Sequence, residues 1–118
     1  MIEIELGYPP SINHYWRRVG ARTLISREGR AYRLAVEECC LQRNVRPIDG
    51  PVSVEIIAHP PDRRRRDLDN ICKSLLDSLE GKAYHDDSQI VRLTLVKADK
   101  VDGGKVSVKI EDAAPQRA

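Results

Sequence analysis

Asp67 and Asp69 stand two residues apart within Asp-Arg-Arg-Arg-Arg-Asp-Leu-Asp-Asn, residues 62–70. The apolar pattern that follows predicts a helix beginning near Asp69, which leaves Asp67 extended. Inside a helix, side chains at i and i+2 diverge, but across such a boundary both can converge on one point. Two converging carboxylates can hold a cation. Either one alone also suits a helix N-terminus, where the macrodipole favours negative charge. A second acidic pair, Asp86 and Asp87, lies in Tyr-His-Asp-Asp-Ser-Gln-Ile just ahead of an expected strand. Asp-Asp-Ser is ordinary turn chemistry as well, so turn and ligand both stay open for this pair. A strand pairing beside the one before Asp62 would bring Asp86 or Asp87 near Asp67 and Asp69.

Three or four carboxylates gathered together repel and cannot all ionise without a cation. A donor set of oxygens alone selects a hard ion, Mg²⁺ or Mn²⁺, over zinc. Arg63, Arg64, Arg65 and Arg66 stand directly against these acids, and the planar guanidinium fork fits phosphate oxygens. Together they suit metal-assisted hydrolysis of a phosphodiester. Lys73 falls four residues after Asp69 on the same helix face. It can orient Asp69, bind the scissile phosphate, or form a plain surface pair of about 0.3–0.5 kcal/mol. Asn70 can support a ligand or share the capping. His14, His59 and His85 have no spacing that suggests zinc, although His85 beside Asp86 can carry a proton. No Ser-His-Asp or Cys-His arrangement and no glycine-rich phosphate loop stands out.

The rest of the chain must position these groups. At 118 residues it is read as one domain over 1–118. Phe is absent and aromatics make up 4%, so the core must be aliphatic. The net charge of +2 by itself predicts no nucleic-acid partner. Its distribution matters more than the sum: from His14 to Ala35 six arginines, Arg17 and Arg18 among them, face one acid, Glu28, a focused charge that suits phosphate oxygens and equally reads as a solvated face. From Asp86 onward six acids balance six bases. Cys39, Cys40 and Cys72 form no C-x-x-C, and with no secretory leader they point to a reducing, cytoplasmic setting. Adjacent Cys39 and Cys40 read as packing residues. No apolar run approaches membrane-spanning length.

Met-Ile-Glu-Ile-Glu-Leu alternates as a half-buried strand. Gly7-Tyr8-Pro9-Pro10-Ser11-Ile12-Asn13 reads as a rigid turn, and residues 14–25 read as a mobile loop. Ser26 caps an expected helix over 27–43 with Tyr32, Ala35, Val36, Cys39 and Cys40 on its apolar face. Residues 52–59 form a strand with Val52, Val54, Ile56 and Ala58 on one side. Leu68, Ile71, Cys72, Leu75, Leu76 and Leu79 then hold helical spacing, and Gly81 stops the helix. Residues 88–98 and 105–112 read as two strands joined in a hairpin around Asp102-Gly103-Gly104. The fold class is therefore α+β: a mixed sheet with two main helices, in the order β-α-β-α-β-β, the helices mainly on one side.

Three stretches, Pro-Pro-Ser-Ile-Asn-His-Tyr-Trp-Arg, Asp-Arg-Arg-Arg-Arg-Asp-Leu-Asp-Asn-Ile-Cys-Lys-Ser-Leu-Leu-Asp-Ser-Leu and Asp-Asp-Ser-Gln-Ile, resemble the RusA family of Holliday-junction resolvases in order and spacing over nearly the whole chain. The resemblance implies a dimeric, Mg²⁺-dependent endonuclease that cuts four-way DNA junctions symmetrically. It implies metal ligands at Asp67, Asp69 and Asp87, an important lysine at Lys73, and Asp86 as a supporting neighbour. The arginine run, with Arg66 nearest the acids, would belong to the DNA-binding surface. Symmetry argues for the dimer independently, because two cuts related by a two-fold need two acidic clusters and a C2 homodimer supplies them. The competing readings are a non-catalytic basic DNA-binding protein and a metal-dependent nuclease for other branched DNA or RNA.

Overall fold

The computed structural model describes residues 1–62 and 68–113. Along the chain run β1 (Ile2–Gly7), one helical turn α1 (Ile12–Tyr15), β2 (Trp16–Val19), β3 (Arg22–Ile25), α2 (Arg27–Gln42), β4 (Val52–His59) and α3 (Asp69–Leu79). A short 3₁₀ turn, Asp87–Gln89, then leads into β5 (Ile90–Lys97), and β6 (Lys105–Asp112) follows. β1, β6, β4 and β5 form a four-stranded sheet in that order, and β2 with β3 forms a separate two-stranded one.

Period-two alternation gives the main sheet two unlike faces. Ile4, Leu6, Val52, Val54, Ile56, Ala58, Val106, Val108 and Ile110 are buried on one face. They pack with Val36 and Cys40 of α2 and with Ile71, Cys72, Leu75 and Leu79 of α3. Both long helices therefore lie on this side, as the pattern predicts. The sheet is mixed, since β4 is parallel to β5 and antiparallel to β6. Parallel neighbours need a crossover connection, which α3 provides by returning the chain from the end of β4 to the level of its start. Val52 consequently sits opposite Ile90, the first residue of β5.

Ser26 caps α2 as expected, its hydroxyl accepting the Gly29 N–H at 2.9 Å. Ala35 is exposed, however, and the buried residues of α2 are Gly29, Val36 and Cys40. The helix has turned enough to press Gly29 against the α1–β2 segment, where a methyl group would collide with the Tyr15 carbonyl oxygen. No side chain caps α3. Leu68, the residue before it, already has helical dihedrals, so Asp69 is the first helical residue and not its cap. Gly81, with φ of 81°, ends the run in the left-handed conformation that glycine favours.

Two expectations are corrected. Residues 14–25 are not a mobile loop: they finish α1 and form the β2–β3 hairpin, with Trp16 paired to Ile25 and Val19 to Arg22. Gly20, with φ of 60°, makes its turn. Residues 88–98 and 105–112 are not a hairpin either, because β4 lies between β5 and β6. The connector passes over the end of β4, held there by Ala98 N–H to Ala58 O at 2.8 Å and Val101 N–H to Pro60 O at 2.9 Å. Gly103 and Gly104 do turn the chain, and a Cβ at Gly104 would approach Tyr8 Cβ to 2.8 Å.

The chain has no phenylalanine, and among the described residues the two largest fully buried side chains are Tyr15 and Tyr84. Each hydroxyl is partnered, as burial requires. Tyr15 Oη meets Ser78 Oγ at 3.2 Å, and the Tyr84 hydroxyl donates to Leu76 O at 2.5 Å. Burial raises the pKa of the Tyr84 hydroxyl far above the ordinary tyrosine value. Burial likewise raises the thiols of Cys40 and Cys72, so they behave as packing groups. No helix among the described residues is long and apolar enough to cross a membrane.

Candidate metal centre

Asp69, Lys73, Asp77 and Glu80 follow one another at helical spacing along α3 and its first residue beyond, so they form one stripe. Lys73 Nζ lies 3.6 Å from Asp77 Oδ2, and its side chain remains 57% exposed. The neighbouring stripe of α3 is buried and faces the protein.

The 3₁₀ turn delivers Asp86 and Asp87 to the far end of this stripe. Asp86 is its N-cap: Oδ1 accepts the Ser88 N–H at 3.1 Å. Gln89 completes a capping box, its Oε1 accepting the His85 N–H at 2.7 Å and the Asp86 N–H at 2.9 Å. The same amide donates through Nε2 to Ile48 O and Gly50 O, both at 2.7 Å. Gln89 thus ties the acidic turn to the segment entering β4 with four hydrogen bonds. Glu80 fixes the turn from the other side, its Oε1 accepting the Asp87 N–H at 3.1 Å.

Glu80, Asp86 and Asp87 consequently present carboxylate oxygens all within 4.8 Å of one another, each exposed. The carboxyl group of Asp87 is raised above the ordinary aspartate value, first by its hydrogen bond to Asp86 and further by the charges of Asp86 and Asp77, with Lys73 opposing. Asp86 is lowered, chiefly by the Ser88 backbone N–H and then by Asp87. The group is all oxygen and exposed, which fits a hard divalent cation.

The sequence-predicted residues divide between the two ends of α3. Asp86 and Asp87 meet Glu80, whereas Asp69 is not part of that group among the described residues. β5 does pair beside β4, but in parallel, so it begins at the end opposite the start of α3. The 11 residues of α3 separate the two ends by about 16 Å. Asp67 and the run Arg63, Arg64, Arg65 and Arg66 lie outside the described residues. Asn70 is partly buried in the first turn of α3. His85 is turned to Asp49, with Nε2 and Oδ1 2.7 Å apart. Arg17 and Arg18 are exposed on β2.

Glu80 and Gln89 were missing from the sequence reading, yet each left a signal. Glu80 extends the spacing of Asp69, Lys73 and Asp77 by three residues, and Asp86 to Gln89 is a capping-box pattern.

A family profile described as "Endodeoxyribonuclease RusA" matches residues 7–111. The chain belongs to the RusA family. Among its relatives is the crossover junction endodeoxyribonuclease rusA of Enterobacteria phage HK97, 41% identical over 109 residues and 91% of each chain. The crossover junction endodeoxyribonuclease RusA of Escherichia coli strain K12 is 40% identical over 113 residues and 92% of each chain. That of Enterobacteria phage 82 is 40% identical over 112 residues, again 92% of each. The matched residues take in α2, β4, α3, the acidic turn, β5 and all but the last residue of β6, and begin at the end of β1.

Proposed function

We propose that this chain is a Mg²⁺-dependent endonuclease, with Mn²⁺ as a substitute, that resolves four-way DNA junctions by paired symmetric cuts. It acts in the cytoplasm as a homodimer of one domain spanning residues 1–118. The observation that carries this reading is the exposed Glu80–Asp86–Asp87 group beside the Lys73–Asp77 pair, in a chain of the RusA family.

Asp67, Asp69 and Asp87 would hold the ion, with Asp86 and Asn70 in support. Bound there, the ion supplies an activated water and neutralises charge developing on the phosphate. The protein's own part is to hold the acids and the DNA backbone in register. Asp86 and Gln89 fix the turn that carries Asp87, whose carboxyl group lies against that of Asp86. Lys73, exposed and only loosely paired at 3.6 Å, can exchange Asp77 for the scissile phosphate. Arg63, Arg64, Arg65 and Arg66, with Arg17 and Arg18, neutralise flanking phosphates.

The separation along α3 bears on the dimer. Asp69 begins α3 while Asp87 gathers with Glu80 just beyond its other end, and a two-fold pairing would let Asp69 of one copy meet Asp87 of the other. The same symmetry provides the two cuts. Mixing Asp69→Asn with Asp87→Asn subunits separates the two arrangements. If the ligands come from different copies, each protein alone is inactive and the mixture recovers nicking of one strand, because one composite site is intact. If both ligands come from one copy, no mixed dimer has an intact site and the mixture stays inactive. Wild-type cutting by either variant alone overturns the ligand assignment.

A further inference from the structure

The β2–β3 hairpin takes little part in the main core, yet it is firmly attached to the catalytic helix. Tyr15, just before β2, is fully buried and its hydroxyl meets Ser78 Oγ of α3 at 3.2 Å. Ser74 Oγ, also on α3, donates to Pro10 O at 2.7 Å. On the other strand, the Ser26 N–H donates to Tyr15 O at 2.8 Å and Arg30 Nη1 donates to Ile25 O at 3.2 Å. Ser74 and Ser78 are the two fully buried polar residues of α3, and both hold the segment that leads into this hairpin. Each stands one residue beyond Lys73 or Asp77 of the exposed stripe. A two-stranded ribbon alone is marginal in water, so its base is set by these contacts to α3.

Register divides the hairpin into two faces. Trp16, Arg18, Thr23 and Ile25 share one, and Arg17, Val19, Arg22 and Leu24 share the other. Trp16 and Ile25 are partly buried at the base, with the Trp16 ring packed edgewise on Tyr15 at 5.1 Å. The second face has no such cover: Val19 is 42% and Leu24 40% exposed, with Arg17 and Arg22 exposed beside them. No acid occurs between Pro9 and Arg27. Aliphatic side chains flanked by guanidinium groups, without any carboxylate, complement a surface that is apolar at its centre and anionic at its edges. Duplex DNA away from a junction offers only stacked bases behind its phosphates. A branch point exposes base faces between converging backbones, and apolar side chains are commonly inserted at such unstacked steps.

We propose that the face formed by Arg17, Val19, Arg22 and Leu24 is a branch-point wedge, with Val19 and Leu24 against unstacked bases at the junction centre and the arginines on the phosphates beside them. This rests on the junction-resolving reading above. Because the hairpin is fixed to α3, the wedge sets the distance from the branch to the strand that is cut.

The test uses a synthetic four-way junction carrying 2-aminopurine at the branch, and a duplex of matched length, both without divalent cation so that no cleavage occurs. Wild-type protein should prefer the junction and raise the 2-aminopurine fluorescence. Val19→Ser/Leu24→Ser should abolish the rise and lower junction affinity about tenfold or more. Its duplex affinity should stay at the wild-type level, which also shows that the variant is folded. Arg17→Ala/Arg22→Ala should weaken both substrates and lessen the salt slope by about 2. A Val19→Ser/Leu24→Ser protein that keeps both the junction preference and the fluorescence rise overturns the wedge alone, as does an equal loss on junction and duplex. Wild-type protein with no preference for the junction overturns the junction reading itself, and the wedge with it.

Discussion

The open face of the sheet and the acidic turn are both exposed and both rich in carboxylates, but they treat charge in opposite ways. On the open face, Glu5 pairs with Lys105 at 2.9 Å and Glu111 with Lys109 at 3.3 Å. Glu5 is lowered below the ordinary glutamate value by its hydrogen bond to Lys105 and then by the charge of that lysine. At the acidic turn, three carboxylates share a space of 4.8 Å, and the contact between two of them raises Asp87. Neighbouring strands in Glu5–Lys105, and positions two apart on one strand in Lys109–Glu111, place opposite charges side by side, so these carboxylates are neutralised. The turn instead uses hydrogen bonds to backbone and amide groups to hold like charges together. Like charges held together by dedicated bonds are an arrangement that suits a divalent cation.

The largest effect should come from removing the carboxylate that the comparison singles out. Asp87→Asn should bind four-way junctions as the wild type does and lose cleavage by about 10³-fold, since an ion held in place supplies several kcal/mol at the transition state. Single-turnover cleavage across a Mg²⁺ titration measures it. Glu5→Gln, equally exposed and equally anionic, should cut at the wild-type rate. If the two variants behave alike, the distinction between the two surfaces fails.

Gln89 tests whether the turn must be held. Gln89→Ala removes four hydrogen bonds while leaving every carboxylate in place. Partners that orient ligands typically change metal affinity or activity by about 10–100-fold. The expected signature is a higher Mg²⁺ requirement for cleavage, with stability lower by about 1–3 kcal/mol. Gln89→Glu keeps the acceptor half of the clamp but sets a carboxylate against Ile48 O and Gly50 O. It should therefore fall between the wild type and Gln89→Ala. A Gln89→Ala protein that is less stable yet needs no more Mg²⁺ would make the residue a structural staple only.

These residues also show where the sequence was readable. β1, β4, α3 and β6 were legible because each has one buried face, and burial imposes period two or period 3.6 on the residue order. The hairpin at 16–25 was illegible because almost all of it is exposed; what orders it is Tyr15 and its contacts to Ser78 and Gly29, residues distant in sequence. Asp102-Gly103-Gly104 did mark a turn. Whether β5 and β6 are neighbours depended on hydrogen bonds from the connector to Ala58 and Pro60, which no local pattern encodes. The acidic residues were legible by type. Their grouping was not, since it turns on β5 being parallel to β4 and on the length of α3.

The smallest effect, and the finest form of the comparison, is the pH dependence of stability without divalent cation. The folded value for Asp87 lies above its ordinary 3.8, so its favourable contribution is present below the unfolded value and is lost as pH rises through the folded one. Glu5 lies below its ordinary 4.5, so its contribution is present above that value and is lost as pH falls through the folded one. Thermal melts of Asp87→Asn should therefore gain on the wild type as pH rises from about 3 to 7, whereas Glu5→Gln should lose over the same interval. Adding Mg²⁺ should erase the advantage of Asp87→Asn, because an ion that binds only the folded wild type stabilises it by mass action. The Glu5→Gln difference should not respond to Mg²⁺, since its partner is already the Lys105 ammonium. Slopes of the same sign for both variants would mean that the turn neutralises its own charge just as the sheet does, and that nothing about it calls for a metal.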